Sequence, residues 1–453
     1  MCRALSFFLI VLLVPLLAGC GRPVDGEQLR ICREVIPAIN PDDSEIREVR
    51  SGRSALGRNG VRIDYVARVP GEASSARYVA CGFAGGTFSA DRLDLVAVET
   101  DSGTLGEARL YYFKRFWLGS SEVAGARVGG EPAVPALPQS VAYLLQQFIN
   151  AIALSAVYAL LATAYSLIYG ITGRINLAFG EIAMLGAYGA IGAIGVFVTL
   201  GLDDPLAGVA VALAFAAAFC GLWSAAIGAQ VIAPLHARHR LGQPILVATA
   251  GLAIAIQEFL HLSQGVRERW VPPLFNEPIA LARADTFIVT VTPMQVAVVI
   301  CTLAAAVSML WLFTRSRFGL SWRAYADDPQ TAALLGVDGH RLLSTTCVLA
   351  GLCAGLAGAV VGVYYGNVGP GMGTMLGLKA LIAALIGGIG SVAGAFLGGL
   401  VVGLVETAWS AYFDITHRDM VIYTFLVVLF LWRPGGLFGL ANPDPPPIGR
   451  AGV

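Results

Sequence analysis

Four charged side chains interrupt the long apolar stretches of this 453-residue chain: Glu181, Glu258, Lys379 and Glu406. If these stretches cross a lipid bilayer, each charge costs roughly 2.5 to 3.5 kcal/mol at mid-depth on insertion scales, and less near an interface. Each side chain therefore needs a charged partner, a polar cavity or lipid headgroups. Glu181 and Glu258 lie near the ends of their stretches, so we expect both to reach toward headgroups. Lys379 lies deepest along the sequence, and it fits either a buried ion pair or a contact with a solute.

The composition supports a membrane location for these charges. The chain is 56% hydrophobic and 13% charged with no net charge, which indicates a membrane protein and argues against nucleic acid as a partner. Residues 21–135 hold 15 of the 30 Lys and Arg residues and 16 of the 30 Asp and Glu residues. We therefore predict a water-soluble module with a linker over 21–135 and a membrane module over 136–440. Residues 441–453 are predicted to form a cytoplasmic tail.

The first twenty residues predict export. They carry one positive charge at Arg3, an apolar run over residues 4–18 and small residues before Cys20, as a secretory signal does. The ending LAGC also resembles a bacterial lipoprotein box, in which Cys20 would be lipidated after cleavage. An uncleaved signal anchor is the alternative. Each interpretation places the next module on the periplasmic side.

Two cysteines, Cys32 and Cys81, then remain in the exported module. In an oxidising compartment they are candidates for a disulfide, although two unpaired buried thiols fit the spacing as well. The cysteines of the apolar stretches lack metal-ligand spacing, so we predict small hydrophobic side chains, no metal site and no cofactor. They are Cys220, Cys301, Cys347 and Cys353.

Four segments between residues 61 and 117 predict antiparallel β-strands. They read VRIDYVARV, ARYVACGFAG, LDLVAVETD and EARLYYFKRFW, and they are rich in β-branched and aromatic residues. Clusters of Gly, Ser, Asp and Pro separate them. A small β-rich extracytoplasmic domain follows, and the Gly- and Pro-rich stretch 124–138 predicts a linker into the membrane module.

Nine apolar runs follow, and most approach the roughly 20 residues needed to cross the hydrocarbon core. They lie near residues 141–169, 176–199, 206–233, 244–262, 294–314, 344–366, 374–389, 392–409 and 420–433. Basic clusters at Arg174, 236–240, 315–341 and Arg433 all face the cytoplasm if nine crossings start outside. We therefore predict an all-α polytopic protein with eight or nine transmembrane helices, the last three runs being short, and a cytoplasmic C-terminus.

A similarity between two stretches of the sequence suggests an inverted repeat. YG followed by MLGAYGAIGAIG, around Gly170 and Met184, resembles YG followed by MLGLKALIAALIG, around Gly366 and Met375. In the predicted topology the two stretches run in opposite directions. Glycines four residues apart from residue 351 onward predict close helix packing. GNVGPGMG (366–373) and GGIGS (387–391) predict helix breaks, as irregular backbone does where it lines a cavity.

A polar segment with clear helix start and stop signals, residues 316–338, separates two of the apolar runs. Asp328 suits a helix N-cap, Pro329 the first helical position and Gly336 the position after the end. The predicted helix, PQTAALL, is about 10 Å long and too short to be stable alone in water. It suits docking into a groove on another protein, and the alternative is an ordinary helical loop packed on its own bundle. The apolar side chains that it presents are Ala332, Leu334 and Leu335.

Three separated blocks resemble the branched-chain amino acid permease family of ABC importers. They are YALLATAYSLIYGITGRINLAFGEIAMLGAY (158–188), RFGLSWRAYADDPQTAALLGVD (317–338) and LIAALIGGIGSVAGAFLGGLVVGLVE (381–406), and the resemblance covers about residues 139–440. It implies a subunit of the bacterial inner membrane with a second homologous permease, two ATP-binding subunits and a periplasmic solute-binding protein. The family's ATPase-contacting loop maps onto Arg323 to Gly336. The candidates for the solute path are Asn176, Phe179, Glu181 and Lys379.

Two features depart from the family pattern. Many members have His where this chain has Phe179, and permeases for urea and short amides share the fold. Branched-chain amino acids and these smaller solutes therefore both fit. The family normally lacks the exported module, which is either a docking platform for the solute-binding protein or a passive appendage.

Other functional classes find less support in the sequence. No GxxxxGK[ST] occurs, so any ATP must bind another chain, and we do not predict an enzyme. An ion-coupled secondary transporter is the alternative, but it would need more polar groups at mid-membrane depth. An intramembrane enzyme lacks an HExxH, GxSxG or paired-carboxylate arrangement in the apolar runs.

Overall fold

The structure is a computed structural model that describes residues 24–41, 44–54, 56, 60–68, 75–85, 91–114, 134–201, 205–238, 243–270, 278–284 and 287–438. The predicted signal with Cys20 and the predicted tail at 441–453 lie outside these residues.

The N-terminal module is an antiparallel sheet with a helix on one face. Its elements are α1 (Gly26–Ile39), β1 (Glu45–Ser54), β2 (Gly60–Arg68), β3 (Ser75–Phe83), β4 (Leu95–Thr100) and β5 (Gly103–Thr104), with the strands in sequential order across the sheet. Asp25 caps α1 by accepting hydrogen bonds from the backbone N–H groups of Glu27 and Gln28. Alternate residues of β2, such as Ile63, share a buried core with the apolar face of α1. The prediction of a small β-rich module is confirmed.

Two details of that prediction are wrong. The segment EARLYYFKRFW is not a fourth strand, because Glu107–Tyr112 forms helix α2. Leu110 and Phe113, three residues apart, pack onto the module's core as one face of a helix does. The sequence also failed to reveal α1 and β1. Strand β1 lies at the edge of the sheet and is rich in Arg, Glu and Ser, so it lacks an apolar alternation.

A disulfide joins Cys32 on α1 to Cys81 on β3, with 5.8 Å between the Cα atoms. Both residues are fully buried. The bond ties the helix to an inner strand across a sequence separation of 49 residues. A cross-link that closes a loop of this size stabilises a fold by about 4 kcal/mol in the chain-entropy account.

The rest of the described chain is mainly helical. Its helices are α3 (Gln139–Thr172), α4 (Phe179–Thr199), α5 (Pro205–Ile227), α6 (Ala233–Arg238), α7 (Gln243–Gln264), α8 (Pro293–Arg315), α9 (Arg317–Asp327), α10 (Pro329–Leu334), α11 (Gly339–Tyr365), α12 (Met372–Gly387), α13 (Val392–Tyr412) and α14 (Arg418–Trp432). A π-helical turn, Gly228–Ile232, joins α5 to α6, and a 3-10 turn, Ile415–His417, precedes α14.

Eight segments in the described part of the chain are long and apolar enough to cross a membrane: α3, α4, α5 with α6, α7, α8, α11, α13 and α14 with its preceding turn. The seventh predicted run forms α12, which has only 16 residues. The polytopic all-α architecture is thus confirmed, with eight long helices and one short apolar helix.

Short strands tie the connections of the membrane module together. They are β6 (Arg269–Trp270), β7 (Ile279–Arg283), β8 (Ile288–Val291) and β9 (Asn367–Val368), paired antiparallel as β6 with β9 and β7 with β8. Pairing of β6 with β9 joins the segment after α7 to the end of α11. Strands of two to five residues are too short for a recognisable alternation, so the sequence did not predict them.

Glycines bring the membrane helices into backbone contact, as their spacing predicts. A Cβ atom added at Gly355 of α11 would lie 2.6 Å from Cys220 Cβ of α5, and one at Gly358 would collide with the backbone of Ala183 on α4. Larger residues at these positions would push the helices apart. The close approach through small residues is typical of helices that pack in lipid.

The geometry around α4 and α12 supports the inverted repeat. Helices α3 and α11 both end at a glycine in the left-handed conformation, with φ of 61° at Gly173 and 64° at Gly366. Each is followed by a short connection and a helix rich in small residues. Gly180 lies against Gly377, while the region of Met184 lies against Gly373, so α4 and α12 run in opposite directions.

Candidate functional site

A cavity of about 290 Å³ lies where α3, α4, α7 and α12 meet. Its size is near the lower end of the range of about 300 to 1,000 Å³ for small-molecule sites. The apolar part of the wall includes Leu177, Ile254, Leu378 and Leu381, and the polar part comprises Tyr165, Asn176, Glu181, Gln257 and Thr374. A few polar groups in an apolar wall suit a small solute that has both a polar and an apolar end.

Close packing of two helix starts brings the polar groups together. A Cβ atom added at Gly377 of α12 would lie 2.7 Å from Gly180 Cα of α4, so the two backbones touch. This contact places Thr374 beside Glu181, and Thr374 Oγ1 donates a hydrogen bond of 2.8 Å to Glu181 Oε1. Both residues line the cavity.

Glu181 is buried, with only 2% of its surface exposed. Its second oxygen, Oε2, has no hydrogen-bond partner among the described residues. The prediction that Glu181 reaches toward headgroups is wrong, because α4 begins against α12 inside the bundle and directs the carboxyl group to the cavity wall. Glu258 differs, since its side chain is 61% exposed and lies 3.5 Å from His261 Nδ1.

The turn between α3 and α4 is fixed by its own hydrogen bonds. Tyr165 Oη donates to the carbonyl oxygen of Asn176 at 2.9 Å, and the Asn176 side chain accepts from the backbone N–H of Ala178 at 3.0 Å. Phe179 is buried and packs edge-on against the Tyr165 ring, with 5.4 Å between ring centres. Among the predicted solute-path residues, Asn176 and Glu181 line the cavity. Phe179 is not among the lining residues and packs against Tyr165, which is.

Lys379 belongs to a separate cluster of charges. Its Nζ atom lies 2.8 Å from Glu406 Oε1 and 3.0 Å from Asp419 Oδ1, and Arg418 Nε lies 3.2 Å from the same Glu406 oxygen. Two cations and two carboxylates thus join α12, α13 and α14. Lys379 is not among the residues that line the cavity. Of the two roles open to it, the structure shows the buried ion pair.

The polar segment after α8 forms two helices, α9 and α10. Asp328 caps α10 by accepting from the backbone N–H groups of Gln330 at 2.9 Å and Thr331 at 3.2 Å, and Pro329 is the first helical residue. Gly336 has a φ of 87°, as predicted for the position after the helix. Leu334 and Leu335 are 88% and 80% exposed.

One prediction for this segment is wrong. Ala332 is not presented to a partner, because only 2% of its surface is exposed. Its backbone N–H and carbonyl groups bond Asp328 and Val337, which closes the short helix. The docking face is therefore narrower than the sequence predicts.

Helix α9 fixes α10 to the bundle. The buried Trp322 donates from Nε1 to the carbonyl oxygen of Leu167 on α3 at 3.3 Å and packs edge-on against Phe313 of α8. Its ring occupies the space that a side chain at Gly170 would need. Arg323, the next residue, is exposed. Trp322 therefore joins α9 to both α3 and α8.

Sequence comparisons agree with this architecture. The sequence profile described as "Branched-chain amino acid transport system / permease component" matches residues 147–431. The chain belongs to this permease family. The high-affinity branched-chain amino acid transport system permease protein LivH of Escherichia coli K12 is 33% identical over 297 residues, 66% of this chain and 96% of LivH. BraD of Pseudomonas aeruginosa, with the same description, is 32% identical over the same shares. No solved structure matches.

The family match covers the helical bundle and leaves residues 1–146 of the permease outside it. The N-terminal sheet is thus an addition to the matched part of the chain, as the sequence predicts. Two features of the permease escaped sequence reasoning: the anchoring role of Trp322 and the grouping of Lys379 with Glu406, Arg418 and Asp419. The only sequence signal for the charge cluster is that Lys379 and Glu406 are charged residues within apolar runs.

Proposed function

We propose that this permease is the membrane subunit of an ABC importer whose separate ATP-binding subunits drive transport. The observation that carries the proposal is α10, a capped helix that exposes two leucines beside a rigid anchor on the bundle. Exposed neighbouring leucines are costly in water unless another protein covers them. A short preformed helix can dock into a groove without losing much conformational freedom.

The chain itself lacks the means to bind ATP in the usual way. No GxxxxGK[ST] sequence occurs in its 453 residues. ATP hydrolysis therefore belongs to partner chains, and α10 is the element that receives their motion. Because α9 hydrogen-bonds α3 through Trp322, that motion reaches a helix that lines the cavity.

The exposed surface of the bundle supports a second homologous permease as a partner. Helix α7 lines the cavity with one face, yet only 22% of its apolar 18-residue stretch is buried within this chain. The same helix carries the exposed Glu258. A second permease packed beside α7 would cover this face.

The proposed orientation follows from charge and export signals. With α10 and its neighbouring arginines in the cytoplasm, the N-terminal module lies in the periplasm and the C-terminus in the cytoplasm of a bacterial cell. This orientation agrees with the disulfide between Cys32 and Cys81, which needs an oxidising compartment. We propose that the module is a docking platform for a periplasmic solute-binding protein and that Cys20 is its lipidation site.

The proposed solutes are branched-chain amino acids or related small polar molecules such as urea and short amides. The relatives LivH and BraD are named for branched-chain amino acids. The cavity favours branched-chain amino acids over urea and short amides, because an apolar wall with Leu378 and Leu381 suits a branched aliphatic side chain.

The test is co-purification with the ATP-binding protein encoded beside this chain. The double variant Leu334→Asp with Leu335→Asp should lose that partner at matched membrane expression, because it places two carboxylates in an apolar groove. The control is Val266→Asp, the same change at a position that is 76% exposed just after α7, which should retain it. If the native chain retains no ATP-binding subunit, the proposal is wrong and ion-coupled transport replaces it.

A further inference from the structure

We infer that Glu181 recognises the ammonium group of the solute inside the cavity and so separates amino acids from neutral amides. This assignment rests on the proposed function, because it gives a role to one residue of the proposed solute path.

Hydrogen bonds within the described chain satisfy only one oxygen of the Glu181 carboxyl group. Glu181 Oε1 is held by Thr374 Oγ1 at 2.8 Å, whereas Oε2 has no hydrogen-bond partner in the described chain. A buried polar atom without a hydrogen-bond partner destabilises the fold, and a charged one does so more strongly. Such a group in a cavity wall is expected to have a partner that arrives with a ligand.

The described lining of the cavity leaves Glu181 without a counter-charge. Glu181 is the one carboxylate among the twelve described residues that line the cavity, and none of these twelve is Lys, Arg or His. The cationic side chains of the neighbouring cluster are already engaged, since Lys379 Nζ contacts Glu406 and Asp419. A positive group in the cavity would therefore be the counter-charge that Glu181 lacks.

The remaining lining fits the other parts of an amino acid. Asn176 and Gln257 carry amide groups that can donate to a carboxylate, and Ile254, Leu378 and Leu381 provide apolar surface. A solute ammonium group donates to a carboxylate in a charge-assisted hydrogen bond. A neutral amide would enter the same space and leave the carboxylate charge uncompensated, and a site built for a polar partner rejects analogues that lack it.

The experiment separates the ammonium group from the rest of the solute. The purified assembled complex, without its solute-binding protein, is melted with an excess of L-leucine, of leucinamide or of 4-methylpentanoate. Leucinamide keeps the ammonium group, and 4-methylpentanoate lacks it. The native complex should be stabilised by L-leucine and leucinamide and not by 4-methylpentanoate. Glu181→Gln, which keeps an acceptor for Thr374, should lose both shifts.

Uptake provides a second readout in the same variants. ATP-dependent L-leucine uptake into vesicles should fall at least about tenfold in Glu181→Gln, the loss expected for one charge-assisted hydrogen bond. Glu268→Gln is the same change at an exposed carboxylate outside the cavity that also accepts one side-chain hydrogen bond, from Asn367, and it should keep native uptake. Equal melting shifts in the native complex and Glu181→Gln, a shift with 4-methylpentanoate, or no shift with any probe would overturn the inference. Retention of the ATP-binding subunits in each variant shows that the proposed function is not what failed.

Discussion

Two carboxylates are buried in the part of the bundle that the structure describes, and their surroundings are opposite. Glu181 and Glu406 are 2% and 3% exposed, and one oxygen of each lacks a hydrogen-bond partner among the described residues. Glu406 lies within 3.2 Å of two cationic side chains, while Glu181 contacts a hydroxyl group and lines a cavity. Burial alone therefore does not assign a role to a carboxylate. A compensated charge holds helices together, and an uncompensated charge beside a cavity is available to a ligand.

The largest expected effect is on the compensated cluster. Lys379→Met removes one cation and leaves Glu406 and Asp419 facing Arg418 alone. Breaking a buried ion pair on one side costs about 3 to 5 kcal/mol, so α14 should detach and the melting temperature should fall strongly. The measurement is thermal unfolding of the purified chain.

The same experiment has an internal check. Adding Glu406→Gln to Lys379→Met removes the orphaned charge, and the double variant should recover most of the lost stability. A double variant as unstable as Lys379→Met would mean that packing of the lysine stem, and not charge, holds the cluster.

A smaller effect is expected where the two helix starts touch. Gly377→Ala places a methyl group 2.7 Å from Gly180 Cα, and such overpacking typically costs about 1 to 3 kcal/mol. The cavity wall must shift to accept it, so uptake should suffer more than thermal stability. The matched control is Gly192→Ala on α4, where an added Cβ meets open space. If both variants transport alike, the contact between α4 and α12 does not shape the cavity.

The smallest effect concerns a third carboxylate, which is exposed and serves only as a helix cap. The hydroxyl of Thr331, with the backbone N–H groups of Thr331 and Gln330, lowers the pKa of Asp328. A lowered pKa in the folded state means that the cap stabilises α10 above the unfolded pKa and loses this effect as the pH falls through the folded pKa. Asp328→Ala should speed hydrogen exchange at Gln330 and Thr331 at neutral pH, whereas Asp328→Asn should largely preserve protection. No difference between native and Asp328→Ala would contradict the capping role.

The sequence predicted those features that depend on local order along the chain. Apolar length gave the spans, and Asp328, Pro329 and Gly336 gave the short helix, because caps and turns are set by neighbouring residues. The module's strands were found where alternation is strong, and the Arg- and Ser-rich edge strand β1 was missed.

The features that escaped prediction depend on residues far apart in the chain. Glu181 was expected near headgroups because it lies near the end of its apolar run, and only the family resemblance pointed to the solute path. The packing of the start of α4 against α12 cannot be read from the sequence. Lys379 and Glu406 are separated by 27 residues, and their pairing arises only when α12 and α13 pack. Ala332 was expected on the surface because helical periodicity in six residues does not say which face of the helix is covered.

The most direct test of the account measures transport and stability together in two isosteric variants, Glu181→Gln and Glu406→Gln. In the assembled complex, Glu181→Gln should keep the native melting temperature and lose L-leucine uptake. Glu406→Gln should lower the melting temperature, because Lys379 and Arg418 lose their shared carboxylate. If the two variants change both quantities in the same way, the separation of a structural carboxylate from a solute-binding carboxylate is wrong.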